Sequence, residues 1–261
     1  MISVVLATHN EAANIANCLE SVKSFADEII VVDGDSTDET VAIAESFGAQ
    51  VITTKNTINF HINKQKAIDA AKGDLILQLD ADEVVTAELA VFVVEQDKVL
   101  SNTLPTDAPM AWYIRRKNDF LGQFLRKGGQ YPDPVIRLFY RGKARLPQKN
   151  VHEQFTVDGI IGTADGHLLH FPYPTLASYL EKYNRYTSFE AGRLWKIGVR
   201  PSVLRTVKAF LFDPIITFYT LFLRHRGYVD GWRGFLFASL SALHHPMVAV
   251  KLWELQEKNV C

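Results

Sequence analysis

The chain has 261 residues, 48% of them hydrophobic and 22% charged, which excludes a disordered or collagen-like chain and leaves enough apolar material for one large core or two small ones. The formal net charge is −1, but it is split: residues 1–180 carry 16 Lys+Arg against 23 Asp+Glu, and residues 181–261 carry 12 against 6. An acidic front and a basic rear point to an anionic partner for the rear, and two cysteines, Cys18 and Cys261, exclude a disulfide framework and fit a reducing compartment.

In chain order, "ISVVLAT" (2–8) is a continuous apolar run, as expected of a strand covered on both faces. No basic region precedes it, so it reads as a first strand and not as a signal peptide. Asn10 is placed to cap a helix carrying Ile15, Cys18, Leu19 and Val22 at helical spacing. "EIIVVD" (28–33) is a second buried strand, followed by "GDSTDET", where Ser36 or Thr37 can cap a helix that Gly48 stops. A short strand at 49–54, a helix at 61–73 and a strand at 74–80 complete the pattern. The first 97 residues thus alternate strand and helix, which predicts an α/β fold with a mostly parallel sheet and helices on both sides. Ligands of such sheets sit at the carboxyl ends of the strands. Polar clusters lie at those ends: Thr8–Glu11, Asp33–Asp35 and Asp80–Glu83.

After a turn-rich connector at 101–109 the pattern changes. "AWYIRR", "PVIRLFYR" and "QFTVDG" read as strands of a mixed region, and 175–197, 201–223 and about 230–257 read as helices. The expected organisation is an α/β half (1–100), a mixed β region of the same domain (101–174) and a helical C-terminal region (175–261). No window offers about 18 uninterrupted apolar residues, so no spanning helix is expected.

"LILQLDADEVVT" (75–86) sends an apolar strand into Asp80, Asp82 and Glu83. Three carboxylates in four positions at a buried strand end are costly unless a cation or hydrogen-bonding ligand meets them. A solvated acidic turn is the plain alternative for any lone D-x-D.

"VVLATHNEAANIANCLESV", "EIIVVDGDSTDET" and "KAIDAAKGDLILQLDADE" occur in the order and spacing of the inverting glycosyltransferases of family 2, with the GT-A fold, and the chain resembles that family over about residues 1–97. "VIRLFYR", "VHEQFTVDG", "HFPYPTLASYLEKYNRYT" and "DGWRGF" resemble a narrower group, the lipopolysaccharide core β-1,4-glucosyltransferases. One departure is "DGDSTD", whose Asp35 stands where many relatives have a small residue before "GSTD".

The resemblance implies a nucleotide-sugar donor, UDP-glucose first, and Mg²⁺ or Mn²⁺ to neutralise the departing diphosphate. It places Asp80 at the ribose or, through water, at the metal, Asp82 on the metal, and Ala81 among the donor contacts. Thr8, Glu11, Asp33 and Asp35 are the expected nucleotide contacts; turn and cap roles are the alternative, above all for Asp35 and Asp38. Lys64 and Lys66 are candidates for holding the diphosphate or for a solvated helix face. Inversion needs one general base; Glu153 in "VHEQF" fits it, with His152 as second choice. His170 is a candidate further metal ligand, against the ordinary reading of a core histidine. Arg137 in "VIRLF" is read as structural or as reaching the acceptor.

The implied acceptor is a lipopolysaccharide core or other lipid-linked sugar, at the cytoplasmic face of the bacterial inner membrane. The apolar, aromatic run 203–223 is broken by Asp213-Pro214, which disfavours a span, and its basic flanks suit peripheral contact with anionic headgroups. Transfer to a polyprenyl phosphate, which needs no base, and a non-catalytic nucleotide-binding protein are the alternatives. "ATHNEAAN" has neither Gly nor Lys/Arg, which argues against a nucleotidyltransferase phosphate loop. No nucleic-acid partner is expected, because the basic residues are mixed with apolar helices.

Overall fold

The computed structural model describes residues 1–57, 59–101, 107–147 and 154–260. They form two compact units: Met1–Arg116 with Pro134–His170, and Lys117–Asp133 with Phe171 onward. The segment Lys117–Asp133, grouped by sequence with the mixed β region, therefore clusters with the helices.

In the first unit, strands β1 (Ile2–Thr8), β2 (Glu28–Asp33), β3 (Gln50–Thr53) and β4 (Leu75–Leu79) pair in parallel in the order 3-2-1-4. Helices α1 (Ile15–Val22), α2 (Thr40–Ser46) and α3 (His61–Ala70) connect them. The apolar strands are continuous because both faces are covered. Val4 and Leu6 of β1 pack with Ile15, Leu19 and Val22 of α1, while Val5 packs with Ala67 and Ile68 of α3.

The sheet continues through β7 (Asp133–Tyr140), antiparallel to β4, then β6 (Ala111–Phe120), β10 (Ile161–Tyr173) and β5 (Glu83–Val85). A short pair, β8 (Ala144–Arg145) and β9 (Thr156–Val157), lies apart, and helix α4 (Ala87–Ser101) follows β5. Three strands separate β4 from β5 in the sheet, although only Asp80–Asp82 join them in the chain. The sheet must curl to close that gap. The three-residue strand Glu83–Val85, paired with β10, is not among the strands that the sequence predicts.

The second unit contains α5 (Leu176–Lys196), a continuous helix Val203–Arg224, a tight turn at Gly227–Asp230, α8 (Gly231–Ala242) and α9 (His244–Val260). Within Val203–Arg224, α6 (Val203–Val207) and α7 (Asp213–Phe218) alternate with widened π turns, Lys208–Phe212 and Tyr219–Arg224. The helix therefore passes through Asp213-Pro214 without a break: a wider turn before the proline relieves its clash with the preceding carbonyls. By length and composition this segment suffices to cross a membrane, a property that a search for uninterrupted apolar residues does not detect.

The turn that follows is sterically specific. A Cβ on Gly234 would stand 1.9 Å from the Gly227 carbonyl oxygen. Gly234→Ala is therefore expected to cost roughly 1–3 kcal/mol, the scale of overpacking, read as a lowered urea midpoint; an unchanged midpoint would show that the turn can give way.

Candidate active site

The carboxyl ends of β1 and β2 are tied together by their own polar residues. Thr8 and Asp33 are register partners, and Thr8 Oγ1 donates to Asp33 Oδ1 at 3.0 Å. Asp33 is buried and also accepts from the Ser36 amide (2.8 Å) and hydroxyl (2.6 Å). The Asn10 amide donates to Ser36 Oγ at 2.8 Å, and Asn10 Oδ1 accepts from the Thr37 amide at 2.8 Å. These side chains are thus used between loops and not as helix caps. The first helix begins at Ile15 and the second at Thr40, neither with a side-chain cap. Asp38 takes the turn role, accepting from the Thr40 amide at 3.0 Å and the Ala12 amide at 3.1 Å. The Glu11 carboxylate accepts from Asn14 Nδ2 at 2.8 Å. Asp35 is exposed, with φ of 63°, in the left-handed region that favours Asn, Asp and Gly.

The acidic strand end is resolved by strand register. β4 pairs with β7 as Leu75↔Tyr140, Ile76↔Phe139 and Leu77↔Leu138. The next step of that register sets Gln78 against Arg137, and Arg137 Nη1 donates to Gln78 Oε1 at 2.5 Å. Asp80 lies two residues on, hence on the same face of the strand. Arg137 Nη2 reaches Asp80 Oδ2 at 2.5 Å and Glu83 Oε1 at 3.1 Å. Arg116, from the adjacent β6, meets Glu83 Oε1 at 3.3 Å. Lys64, from α3, pairs with Asp80 Oδ1. Glu83 also accepts from the Asp80 amide at 2.9 Å, closing the turn between β4 and β5.

Three basic side chains therefore answer two of the three carboxylates. Glu83 is fully buried, a position where an ion without partners would cost several kcal/mol. Burial pushes the Asp80 carboxyl up, but the Arg137 guanidinium and then Lys64 outweigh it and hold Asp80 well below the usual carboxylate range. Burial pulls the Lys64 ammonium down from its ordinary value despite Asp80. The Arg137 guanidinium is held above its ordinary value: burial opposes its charge, and Asp80 and Glu83 more than offset that. The question posed by the acidic strand end thus has an answer within the chain for two of its carboxylates, beside the cation and ribose expected from the sequence. The protein itself neutralises Asp80 and Glu83.

Asp82 is handled differently. The β5–β10 ladder pairs His170 with Glu83, which brings His170 Nε2 to 3.6 Å from Asp82 Oδ2. The two expected metal ligands, 88 positions apart in sequence, are brought together. Two ligands about 2.1 Å from one ion can span that separation, and Mg²⁺ is commonly held by one or two carboxylates with substrate phosphates and water supplying the rest. Among the described residues, no group of three or more His, Cys, Asp and Glu side chains forms a self-sufficient cage. The donor set fits an ion that is completed by a diphosphate.

Of the other expected contacts, Ala81 is buried between the two aspartates, and Lys66 is exposed and donates to Thr54 Oγ1 at 2.8 Å. Lys64 is buried against Asp80 and over the Phe60 ring, so the solvated-face alternative is excluded for it. Glu153 and His152 lie outside the described residues. Sequence reasoning missed the arginine network. Its signal was a charged residue inside an apolar strand, "VIRLF", where an arginine is buried only if paired.

A family described as glycosyl transferase family 2 matches residues 3–98. An uncharacterized glycosyltransferase of Rickettsia felis is 31% identical, over 99% of this chain and 92% of that protein. The lipopolysaccharide core biosynthesis glycosyltransferase LpsC of Rhizobium meliloti is 29% identical, over 97% of this chain and 92% of its own. Among solved structures, S. aureus TarS (1–349) in complex with UDP-GlcNAc aligns with a TM-score of 0.48 at 14% identity, over 99% of this chain and 92% of that one.

Proposed function

Because the chain belongs to glycosyltransferase family 2, we propose that it transfers glucose from UDP-glucose, with inversion, to a hydroxyl of a lipopolysaccharide inner-core acceptor, with Mg²⁺ or Mn²⁺ held by Asp82 and His170. The observation that carries the metal-dependent reading is the approach of Asp82 Oδ2 to His170 Nε2 at the carboxyl edge of the sheet. The acceptor class is supported by the likeness to LpsC over nearly the whole chain.

Thr8, Glu11, Asp33 and Asp35 stand at the β1 and β2 ends, where a nucleoside would lie across the strand tips. Asp80 and Ala81, at the same edge, are read as contacts to the ribose and the rest of the donor. Lys64 and Arg137 fix the Asp80 carboxylate, so it is ionised and already oriented when a donor hydroxyl reaches it. A bound divalent cation supplies charge neutralisation to the departing UDP. Glu153 accepts the proton of the acceptor hydroxyl as that oxygen bonds to the anomeric carbon on the face opposite the leaving diphosphate, and the bond from that carbon to the phosphate oxygen breaks.

Glu153→Gln is expected to lower the catalytic rate by about 10²-fold or more, the usual scale for losing a general base, with donor affinity nearly unchanged. A collapse of donor affinity, or a surviving rate, would move the base assignment to His152. The reading as a whole is tested by a screen of nucleotide sugars against a purified inner-core acceptor, with and without EDTA. UDP-glucose turnover that EDTA abolishes is the expected result; turnover with another donor alone would change the substrate, and none with any donor would overturn the assignment.

A further inference from the structure

The helix Val203–Arg224 shelters Phe218, Leu221 and Phe222 in its last turns, as a helix of a soluble protein would, but is inverted before them. There its sheltered positions are small or polar: Thr206, Ala209, Asp213 and Thr217 recur at three- and four-residue spacing and are only partly exposed. They are engaged inside the second unit, where Thr206 Oγ1 accepts from Trp253 Nε1 at 2.9 Å and Thr217 Oγ1 lies 2.8 Å from His245 Nε2. Its outward positions are large and apolar, with Leu204 80%, Leu211 56% and Ile215 70% exposed. A soluble amphipathic helix places these two classes the other way round. Beyond the turn, Tyr228 and Trp232 are also more than half exposed, and an apolar surface of this extent marks an interaction site.

The rim of that face is basic. Arg200, Arg205 and Lys208 stand at its start, and Arg224 and Arg226 at its end. Arg200 lies over the Trp195 ring at 3.8 Å, and Trp, Tyr and Arg are the side chains suited to a headgroup boundary. An apolar centre with cationic ends complements hydrocarbon bordered by anionic headgroups; a protein partner would need apolar residues opposed by acidic ones.

The helix is anchored within its own unit, as a helix lying in the plane of a leaflet would be. Its far end is held by the loop that leaves β6: the Gly128 amide donates to the His225 carbonyl at 3.0 Å, and the Arg126 and Lys127 amides donate to buried Asp230 at 3.0 and 2.9 Å. Its near end follows α5, whose Glu181, Lys182, Arg185 and Glu190 cannot lie in hydrocarbon.

We propose that the outward face of Val203–Arg224, extended by Tyr228 and Trp232, is a docking surface for an anionic lipid leaflet, lying in its plane with the apolar side chains in the acyl boundary and both basic ends among the headgroups. The proposal stands independently of the catalytic reading. It is tested on the full chain by flotation with phosphatidylcholine vesicles, with and without phosphatidylglycerol. Wild type floats with the anionic vesicles and weakly with the neutral ones, is released by alkaline carbonate, and binds less in high salt. Leu211→Ser with Ile215→Ser, both at exposed positions that leave the fold intact by circular dichroism, lowers partitioning at least tenfold. Arg224→Glu with Arg226→Glu removes the preference for anionic vesicles. Wild type remaining in the soluble fraction at low salt, or the serine variant floating like wild type, would overturn the proposal. Retention in carbonate would replace it with a spanning helix. A dimer that the serine variant dissociates without any change in flotation would assign the face to a second copy of the chain.

Discussion

Replacing Arg137 by methionine is expected to lower the stability of the protein by about 3 kcal/mol, the lower end of the cost of breaking a buried ion pair. The side chain is matched in volume, so the loss is electrostatic and not a cavity. Arg137 bridges Asp80, Glu83 and Gln78. Without it, buried Glu83 still has Arg116 at 3.3 Å and the Asp80 amide, and Asp80 still has Lys64. Those remaining partners are why the lower end of the range applies. The measurement is a urea unfolding series with fluorescence and circular dichroism followed together, since two units need not unfold as one. A further Glu83→Gln substitution is expected to recover part of the loss, because it removes the stranded charge. A single variant within 1 kcal/mol of wild type would show that the network contributes little.

Asp82→Asn is expected to behave in the opposite way, with transfer falling by on the order of 10²–10³-fold and the melting temperature within about 2 °C of wild type. A bound cation supplies several kcal/mol of charge stabilisation, and each 1.36 kcal/mol is about tenfold in rate. Asp82 stands at His170, whereas the Asp80 amide is met by Glu83 and the arginine network by Asp80 and Glu83. Initial rates at saturating donor, alongside a thermal melt, separate the two consequences. Wild-type rates, or full activity after exhaustive chelation, would rule out the metal-dependent mechanism. The pair of variants distinguishes two uses of carboxylates only two residues apart, one for architecture and one for chemistry.

Much of the first unit is legible in the sequence, because strands buried on both faces leave long apolar runs and their helices end at glycine or at polar clusters. "ISVVLAT", "EIIVVD" and "DLILQLD" become β1, β2 and β4 within a residue or two at each end. The site was less legible, and the reason is non-local pairing. Nothing local in "LLHFPY" indicates that His170 will lie opposite Glu83; β10 must first take its place beside β5. Arg137 finds Asp80 only through the β4–β7 register. The cap expectations for Asn10, Ser36 and Thr37 failed for a related reason: once β1 and β2 are adjacent, these side chains have better partners across the loops than in the helix that follows them. In the rear, the sequence records that 203–223 is apolar but not which side faces inward. The outward orientation appears only when Thr206 and Thr217 are seen to be bonded on the sheltered side.

The division of labour at the acidic strand end is tested most directly by Mn²⁺ binding, followed by electron paramagnetic resonance in the presence of UDP. Wild type is expected to bind one Mn²⁺ in a UDP-dependent manner. Asp82→Asn and His170→Ala are each expected to weaken it at least tenfold, and the conservative Arg116→Lys to leave it within about twofold. Undiminished Mn²⁺ affinity in Asp82→Asn would contradict the account.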